Sequence, residues 1–275
     1  MTGLSGIPVC CLVGMLSIAC NTPSQMALPY AFDQPDKVFL LPPELVEISG
    51  LSLSADEQHI MAIQDEWGHL FHIDLQTGAV LSSTPFGAAG DYEGVEFVDS
   101  FAYIVNSSGT LFQVSLPETE VATFETFLND SYDVEGLGYD KSSHRLLLAC
   151  KEHPGNNEDR MVFAFSLAEK QLLPEPVLRV TQEDVRRHTG NRDVLFKPSG
   201  IARHPLTNEY YLLSAAADML LILDAEGQIR QCIPLPKHRF HQPEGICFSS
   251  NGTLYISDEG GKRRPGSIKV FFPKG

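Results

Sequence analysis

Six glutamates recur at two kinds of position in the sequence, and together they could bind a divalent cation. Three directly precede a glycine and three follow a short apolar segment; they are Glu93, Glu135 and Glu244, and Glu66, Glu152 and Glu259. Carboxylates at ~4 Å repel each other by roughly 1 kcal/mol in water and by roughly 4 kcal/mol at a protein surface. A group of them therefore favours protonation or a bound cation. Oxygen donors without His or Cys suit Ca²⁺ and argue against zinc.

A repeated pattern, an acid or serine followed by glycine and a branched apolar residue, indicates what positions these glutamates. Its glycines stand at 50, 94, 136, 200 and 245, so three intervals are 42–45 residues long and one is 64. A four-stranded propeller blade has about this length, roughly 40–50 residues. Short branched or aromatic segments follow each glycine and are separated by Gly, Asp and Asn turns. The sequence therefore predicts an all-β fold, a five-bladed β-propeller.

Two further segments complete this predicted domain, which spans residues 37–275. The last repeat is one strand short, and Val38–Leu41 can supply that strand, which would close the ring and remove its exposed edges. The long interval contains Thr181–His188, where a capping threonine, early acids, late bases and the following Gly190 predict one helix. We therefore expect closure by an N-terminal strand and a short helical insertion in blade three.

The blade topology predicts where the six glutamates meet. In an antiparallel blade, the start of the inner strand lies beside the end of the second strand. Glu135 should then lie near Glu152, and Glu244 near Glu259, with all six on one rim at the mouth of the central channel. The alternative is that each acid caps backbone amides in its turn, which would leave a scaffold without a metal.

The N-terminal residues resemble an export signal. No charged side chain precedes Asp33, and the apolar run from Ile7 to Ala19 is too short to span a bilayer. The run ends at Cys20 in a sequence that resembles the lipobox of bacterial lipoproteins. We therefore expect residues 1–19 to be a signal peptide, Cys20 to be lipidated, and residues 20–36 to be a tether. This predicts a membrane-anchored lipoprotein of the cell envelope, periplasmic or outer-membrane; a buried N-terminal strand and a misassigned start codon are the alternatives.

Composition narrows the classes of partner. The formal net charge is −15, with 35 acidic and 20 basic side chains. This argues against binding to nucleic acid or to an anionic membrane surface, and favours cations. Cys150, Cys232 and Cys247 lie in apolar strand patterns, so we expect buried thiols rather than a disulfide framework or a zinc site.

The repeats resemble the SdiA-regulated, YjiK-like family of bacterial envelope proteins over roughly residues 37 to 275. The segments that carry the resemblance, besides the repeats, are Gln64-Asp65-Glu66, Lys151-Glu152 and Ser257-Asp258-Glu259. The resemblance implies a five-bladed β-propeller with a bound calcium ion, and no established reaction comes with it. The chain departs from the family pattern at Asn106-Ser107 in blade two and in the long insertion of blade three.

These observations lead to a functional expectation. We expect a calcium-binding, lipid-anchored propeller that acts as a binding or interaction module, with a protein or small-molecule ligand at the channel mouth. The alternative is a metal-dependent hydrolase of phytase or lactonase type on the same scaffold, for which the sequence identifies no catalytic residue. Lys151 is the one base in the rim motifs, whereas a phytase needs several to hold phosphate.

Overall fold

The computed structural model describes residues 28–116, 120–155 and 158–274, which form a five-bladed β-propeller. The first strand is β1 (Lys37–Leu40), which a short 3-10 turn at Pro43–Leu45 follows. Blades 1 and 2 are made of β2 (Ile48–Leu53), β3 (His59–Gln64), β4 (His69–Asp74) and β5 (Val80–Pro85), and of β6 (Tyr92–Val98), β7 (Phe101–Asn106), β8 (Leu111–Ser115) and β9 (Val121–Phe124).

The remaining blades follow in chain order. Blade 3 consists of β10 (Val134–Asp140), β11 (Arg145–Cys150) and β12 (Arg160–Ser166), with β13 (Gln171–Leu172) and β14 (Leu178–Val180) both paired to β12. Blade 4 consists of β15 (Gly200–Arg203), β16 (Tyr210–Ser214), β17 (Met219–Leu223) and β18 (Ile229–Pro234). Blade 5 consists of β19 (Pro243–Phe248), β20 (Leu254–Asp258), β21 (Ser267–Phe271) and β1.

The N-terminal strand closes the ring, as the sequence predicts. Strand β1 is the outer strand of blade 5 and pairs antiparallel with β21, so that Lys37 lies opposite Val270 and Leu40 opposite Ser267. The first and last parts of the described chain thus share one sheet. Closure of this kind removes the unpaired edge that an open array of blades would expose.

Part of the segment expected to be a tether belongs to the folded domain instead. Tyr30 and Phe32 are buried in the apolar core between blades 4 and 5. The Tyr30 hydroxyl donates a hydrogen bond of 2.7 Å to the carbonyl oxygen of Gly252. An aromatic side chain that gains so much burial stabilises its segment against the domain. The tether prediction is therefore wrong for these residues, and the predicted signal peptide, Cys20 and the rest of the tether lie outside the described residues.

The repeat glycines let the five inner strands approach one another around the axis. A Cβ atom on Gly200 would lie 2.2 Å from the carbonyl oxygen of Glu244, and one on Gly245 would lie 2.6 Å from that of Ser49. Equivalent clashes with backbone occur at Gly50 and Gly94. The glycines are therefore required by close backbone packing between neighbouring blades rather than by turns.

The predicted helix forms with the expected caps. Helix α1 spans Gln182–Thr189, the Thr181 hydroxyl accepts a hydrogen bond from the Asp184 amide at 3.1 Å, and Gly190 ends the helix with φ of 67°. The buried side chain of Gln182 exchanges two hydrogen bonds of 2.8 Å with the backbone of Phe196. Val185 fills the core between blades 3 and 4, so the insertion is anchored to the propeller. In the described residues, no helix is long and apolar enough to cross a membrane.

Candidate functional site

β-bulges direct the glutamates that precede the repeat glycines. In blade 2, Tyr92 pairs with Asn106 and Gly94 with Val105, so Glu93 is an extra residue in the inner strand. Equivalent register shifts occur at the same position in blades 1, 3 and 5. Strict alternation would place Glu93 and Gly94 on opposite faces of the sheet, whereas a bulge re-aims a side chain. The bulges therefore allow an acidic side chain and a glycine to face the axis together.

Three of the six predicted glutamates meet at the axis. Glu93, Glu135 and Glu244 line a small cavity of about 10 Å³ with Ser199, enclosed by the inner strands of the blades. This volume is about that of one water molecule or one monatomic ion. Glu135 is buried, while Glu93 and Glu244 remain partly exposed. The three side chains come from blades 2, 3 and 5, so they are distant in sequence and adjacent only in the folded ring.

The axial carboxyl groups disfavour one another's ionisation. Burial raises the pKa of Glu93 to about 10, and the charges of Glu135, Asp91 and Glu244 add to the effect. Burial and then the charge of Glu135 hold the pKa of Glu244 well above its usual value. Burial also raises the pKa of Glu135, although the nearby ammonium of Lys151 opposes it. The Lys151 Nζ lies 2.6 Å from Glu135 Oε1. Without a further cation, Glu93 therefore holds a proton at neutral pH.

The other three predicted glutamates do not reach the axis. Glu152 forms an ion pair with Lys197 and lies 3.4 Å from the Arg160 Nη2 atom. Glu259 accepts a hydrogen bond from the Gln242 side chain, and its pKa is raised to about 7 by burial and then by the charges of Asp65 and Glu47. Glu66 is exposed.

The strand register explains this difference from the predicted convergence. Cys150 lies opposite Val134, so Glu152 is two residues beyond the end of the pairing, and its amide donates to the Tyr132 carbonyl at 2.9 Å. The residue beside Glu135 in the ladder is thus not Glu152. The ends of the second strands lie outside the inner ring. There Glu152 pairs with Lys197, and Glu259 accepts a hydrogen bond from Gln242.

Two further acids beside the axial group were not among the predicted site residues. Asp91 hydrogen-bonds the carboxyl of Glu93, and Lys151 lies 3.8 Å from Asp133 Oδ2 as well as contacting Glu135. A signal was present, because both aspartates stand two residues before their glutamate in the same Asp-x-Glu-Gly order.

A second acidic group lies between blades 1 and 5. Burial and the charges of Glu47 and Glu66 raise the pKa of Asp65 to about 6. The Asp65 Oδ1 atom is buried and has no hydrogen-bond partner among the described residues. By contrast, Asp258 is fully satisfied, because it accepts from two backbone amides and from Lys269 Nζ at 2.6 Å. Asp258 therefore has a structural role, whereas Asp65 leaves an oxygen without a partner.

The oxygen atoms of the axial glutamates and their neighbours are of the kind that a hard cation prefers, although they are not arranged around a site for one. They are carboxylate and hydroxyl oxygens with an excess of negative charge, which calcium prefers. In the described part of the chain, no three His, Cys, Asp or Glu side chains are gathered into a metal-holding group. Binding would therefore require Glu93 and Glu244 to rotate their side chains towards the ion. Glu135 is already in contact with Lys151 and would have to share its carboxylate with that base.

Comparison with known proteins agrees with this architecture. A family model described as SdiA-regulated matches residues 43–261, which include all six glutamates. Among solved structures, a catalytically inactive virginiamycin B lyase from Staphylococcus aureus with quinupristin is similar, with a TM-score of 0.54 and 9% identity. The match covers 86% of this chain and 98% of that one.

Two other solved structures have a comparable likeness. The structure described as a nidogen/laminin complex matches with a TM-score of 0.53 and 13% identity, covering 77% of this chain and 72% of that one. The hydrazine synthase of Kuenenia stuttgartiensis matches with a TM-score of 0.53 and 11% identity, covering 82% and 83%. At these identities the similarity shows the propeller fold and carries no residue-level role.

Proposed function

The chain belongs to the SdiA-regulated family, and we propose that it is a calcium-binding propeller that acts as a binding or interaction module of the cell envelope. The family and the fold support the coarser statement, a propeller that serves as a binding module or as an enzyme-like scaffold. Calcium, the lipid anchor and the location in the envelope are the finer parts of the proposal.

The meeting of three acidic side chains at the axis is the observation that carries the calcium proposal. Glu93, Glu135 and Glu244 converge from three blades, and the pKa of Glu93 is raised to about 10. Lys151 contacts Glu135 and so offsets part of this charge. A bound divalent cation would supply the missing positive charge and would join blades that are distant in sequence. Glu93, Glu135 and Glu244 would hold it, with Ser199 beside them.

Calcium should stabilise the wild-type propeller, and Glu93→Gln should remove most of that effect. An ion that binds only the folded ring adds roughly 2.7 kcal/mol at one hundred times its dissociation constant. The substitution keeps the size of the side chain and removes the carboxylate that calcium would bind, which no base among the described residues contacts in an ion pair. Magnesium should stabilise less, since it demands stricter octahedral geometry. Thermal melts with calcium, magnesium and a chelator measure the difference.

Glu66→Gln is the matched control, because Glu66 belongs to the predicted set but lies away from the axis and is exposed. Its calcium response should equal that of the wild type. A loss with Glu66→Gln but not with Glu93→Gln would move the ion to the acidic group around Asp65. An unchanged melting temperature of the wild type on adding calcium or chelator would refute the calcium proposal.

We also propose that Cys20 carries a lipid anchor. This proposal rests on the apolar run from Ile7 to Ala19 that precedes the cysteine. Wild-type protein expressed in a bacterial host should fractionate with membranes, and Cys20→Ser should release it because the acylated thiol is absent. Mass spectrometry of the mature N-terminus checks the cleavage at Cys20. Cys232→Ser is the control, because this cysteine lies in β18 and should leave fractionation unchanged. Soluble wild-type protein that retains residues 1–19 would contradict the anchor.

The metal-dependent hydrolase remains the alternative, but the contacts of the rim bases give it less support. Phosphate chemistry would need cationic side chains that face the metal. Lys197 and Arg160 both engage Glu152, and Lys151 engages Glu135. These bases are therefore committed to carboxylates of the propeller itself. A screen of the calcium-loaded protein against phosphate esters and lactones would distinguish the hydrolase, which should turn over one of them, from the binding module, which should not.

A further inference from the structure

A cavity among the described residues lies at the far ends of the inner strands, away from the axial glutamates. Its volume is about 570 Å³, within the range of small-molecule sites, roughly 300–1,000 Å³. The cavity is lined by Ser52, Glu96, Ala202 and Cys247 of the inner strands and by residues of the loops that follow those strands. Glu93 and Glu96 are three residues apart in β6, about 10 Å along an extended strand. The two sites therefore occupy opposite mouths of the channel.

The floor of this cavity combines small side chains with one carboxyl group. The residues two positions after the repeat glycines are Ser52, Glu96, Gly138, Ala202 and Cys247. Four of these five residues are small and leave space in the cavity, and Glu96 is the one with a long side chain. Three rings, of Phe97, Tyr139 and Phe248, also line the cavity, and each is only partly buried. The cavity thus has three aromatic rings in a wall that also carries polar and charged side chains, and it has the acid Glu96 among the small residues.

Glu96 is held in place, but no base in the described part of the chain forms an ion pair with it. The Ser52 hydroxyl donates to Glu96 Oε2 at 2.9 Å, and the Tyr139 backbone amide also donates to the carboxyl. The Ser52 oxygen accepts from the Phe97 amide at 3.1 Å, which fixes its orientation. On the rim, Arg203 is committed to Asp140 by an ion pair. A buried carboxyl that faces a cavity and lacks a cationic partner is costly to ionise.

We propose that this cavity binds a small organic ammonium ion, whose amine reaches Glu96 while its carbon chain lies against the aromatic and small side chains. A charged nitrogen gains both from a carboxylate and from aromatic faces within about 6 Å. A hard divalent metal fits less well, because it needs several oxygen ligands and the floor has one carboxyl. This site is independent of the calcium proposal, so either can fail alone.

Ammonium binding should release a proton from Glu96. Burial raises the pKa of Glu96 to about 8, although Ser52 and the Tyr139 amide oppose the shift, so the carboxyl is mostly protonated at neutral pH. Pairing with an ammonium requires the ionised form. The other titratable groups at the cavity are Glu57, Tyr139, Lys141, His204, Cys247 and the Asp140–Arg203 pair. Burial holds the pKa of His204 below and that of Cys247 above its usual value, so both are neutral.

Calorimetric titration of the full chain with n-butylamine, with n-butanol as the uncharged probe of equal chain length, tests the proposal. The amine should bind roughly tenfold or more tightly than the alcohol, because only the amine pairs with the carboxylate. Repeating the titration in buffers of different ionisation enthalpy should show about one proton released per amine at neutral pH. About two pH units above the Glu96 pKa, this release should vanish.

Glu96→Gln should weaken amine binding by roughly tenfold or more and leave alcohol binding unchanged. Glu183→Gln, an exposed acid of α1 outside the cavity lining, should bind the amine as the wild type does. Equal amine affinity in the wild type and in Glu96→Gln would overturn the proposal, as would the absence of measurable amine binding. If Glu96→Gln fails to fold, the wild type decides alone, since amine binding without proton release at neutral pH would place the amine elsewhere.

Discussion

Deletion of residues 1–41 should destabilise the propeller by roughly 5 kcal/mol or more, or make it aggregate. The deletion removes β1, which forms the outer strand of blade 5, and exposes the edge of β21. It also removes four buried side chains, Tyr30, Phe32, Phe39 and Leu41. Burial of each such side chain contributes roughly 1.5–3 kcal/mol. Denaturant unfolding and light scattering should show the loss.

Deletion of residues 1–27 is the matched control, because it leaves the described part of the chain intact. It should unfold at the same denaturant concentration as the chain that lacks only residues 1–19. Phe39→Ala and Val38→Ala refine the test, since Phe39 is 4% exposed and its neighbour Val38 is 47% exposed. The first should cost roughly 3–5 kcal/mol and the second about 0.5 kcal/mol or less. Equal stability of the two deletions would mean that β1 does not close the ring.

Gly200→Ala should destabilise the fold by more than about 3 kcal/mol or prevent soluble expression. The added Cβ would lie 2.2 Å from the Glu244 carbonyl oxygen and 3.3 Å from the Ile246 side chain. The first contact is with backbone of the neighbouring inner strand, which cannot rotate away as a side chain could. Blades 4 and 5 would have to separate at the axis. The melting temperature of the purified variant, or its yield in the soluble fraction, measures the effect.

Gly261→Ala is the control for this substitution. A Cβ at Gly261 would have a single neighbour, a carbon of His241 at 3.9 Å, which is ordinary contact. Its stability should lie within about 0.5 kcal/mol of the wild type. If Gly200→Ala were equally stable, the inner strands could not be in the close contact that the structure shows.

The number and order of the blades could be read from the sequence because each blade is a local unit. The glycines at 50, 94, 136, 200 and 245 repeat at the length of a blade, and the strands of a blade are neighbours along the chain. Strand β1 is the exception to this locality, and it was predictable because the last repeat lacked one strand and the segment before the first repeat could supply it. The caps of α1 depend on residues within one helix, so Thr181 and Gly190 were recognisable without tertiary information.

The composition of the acidic rim depended on register, which the sequence pattern does not specify. The bulge at Glu93 and Gly94 is set by pairing between β6 and β7, and a shift of one residue changes which side chains face the axis. Glu152 follows a second strand, as Glu66 and Glu259 do, so the sequence pattern did not distinguish it. The register nevertheless placed it beside Lys197, which belongs to the segment before blade 4. Ion pairs between residues so far apart in sequence exist only after the blades have packed.

Two features arose from the ring as a whole. The glycines were recognised as markers of a repeat, but the reason for glycine is the distance between inner strands of different blades, such as that from Gly200 to the Glu244 carbonyl. Glu96 carried no signal, because a single acid in a strand usually faces solvent. It faces a cavity because the other four inner strands present small residues at the same level around the axis, and that arrangement is decided only when the ring closes.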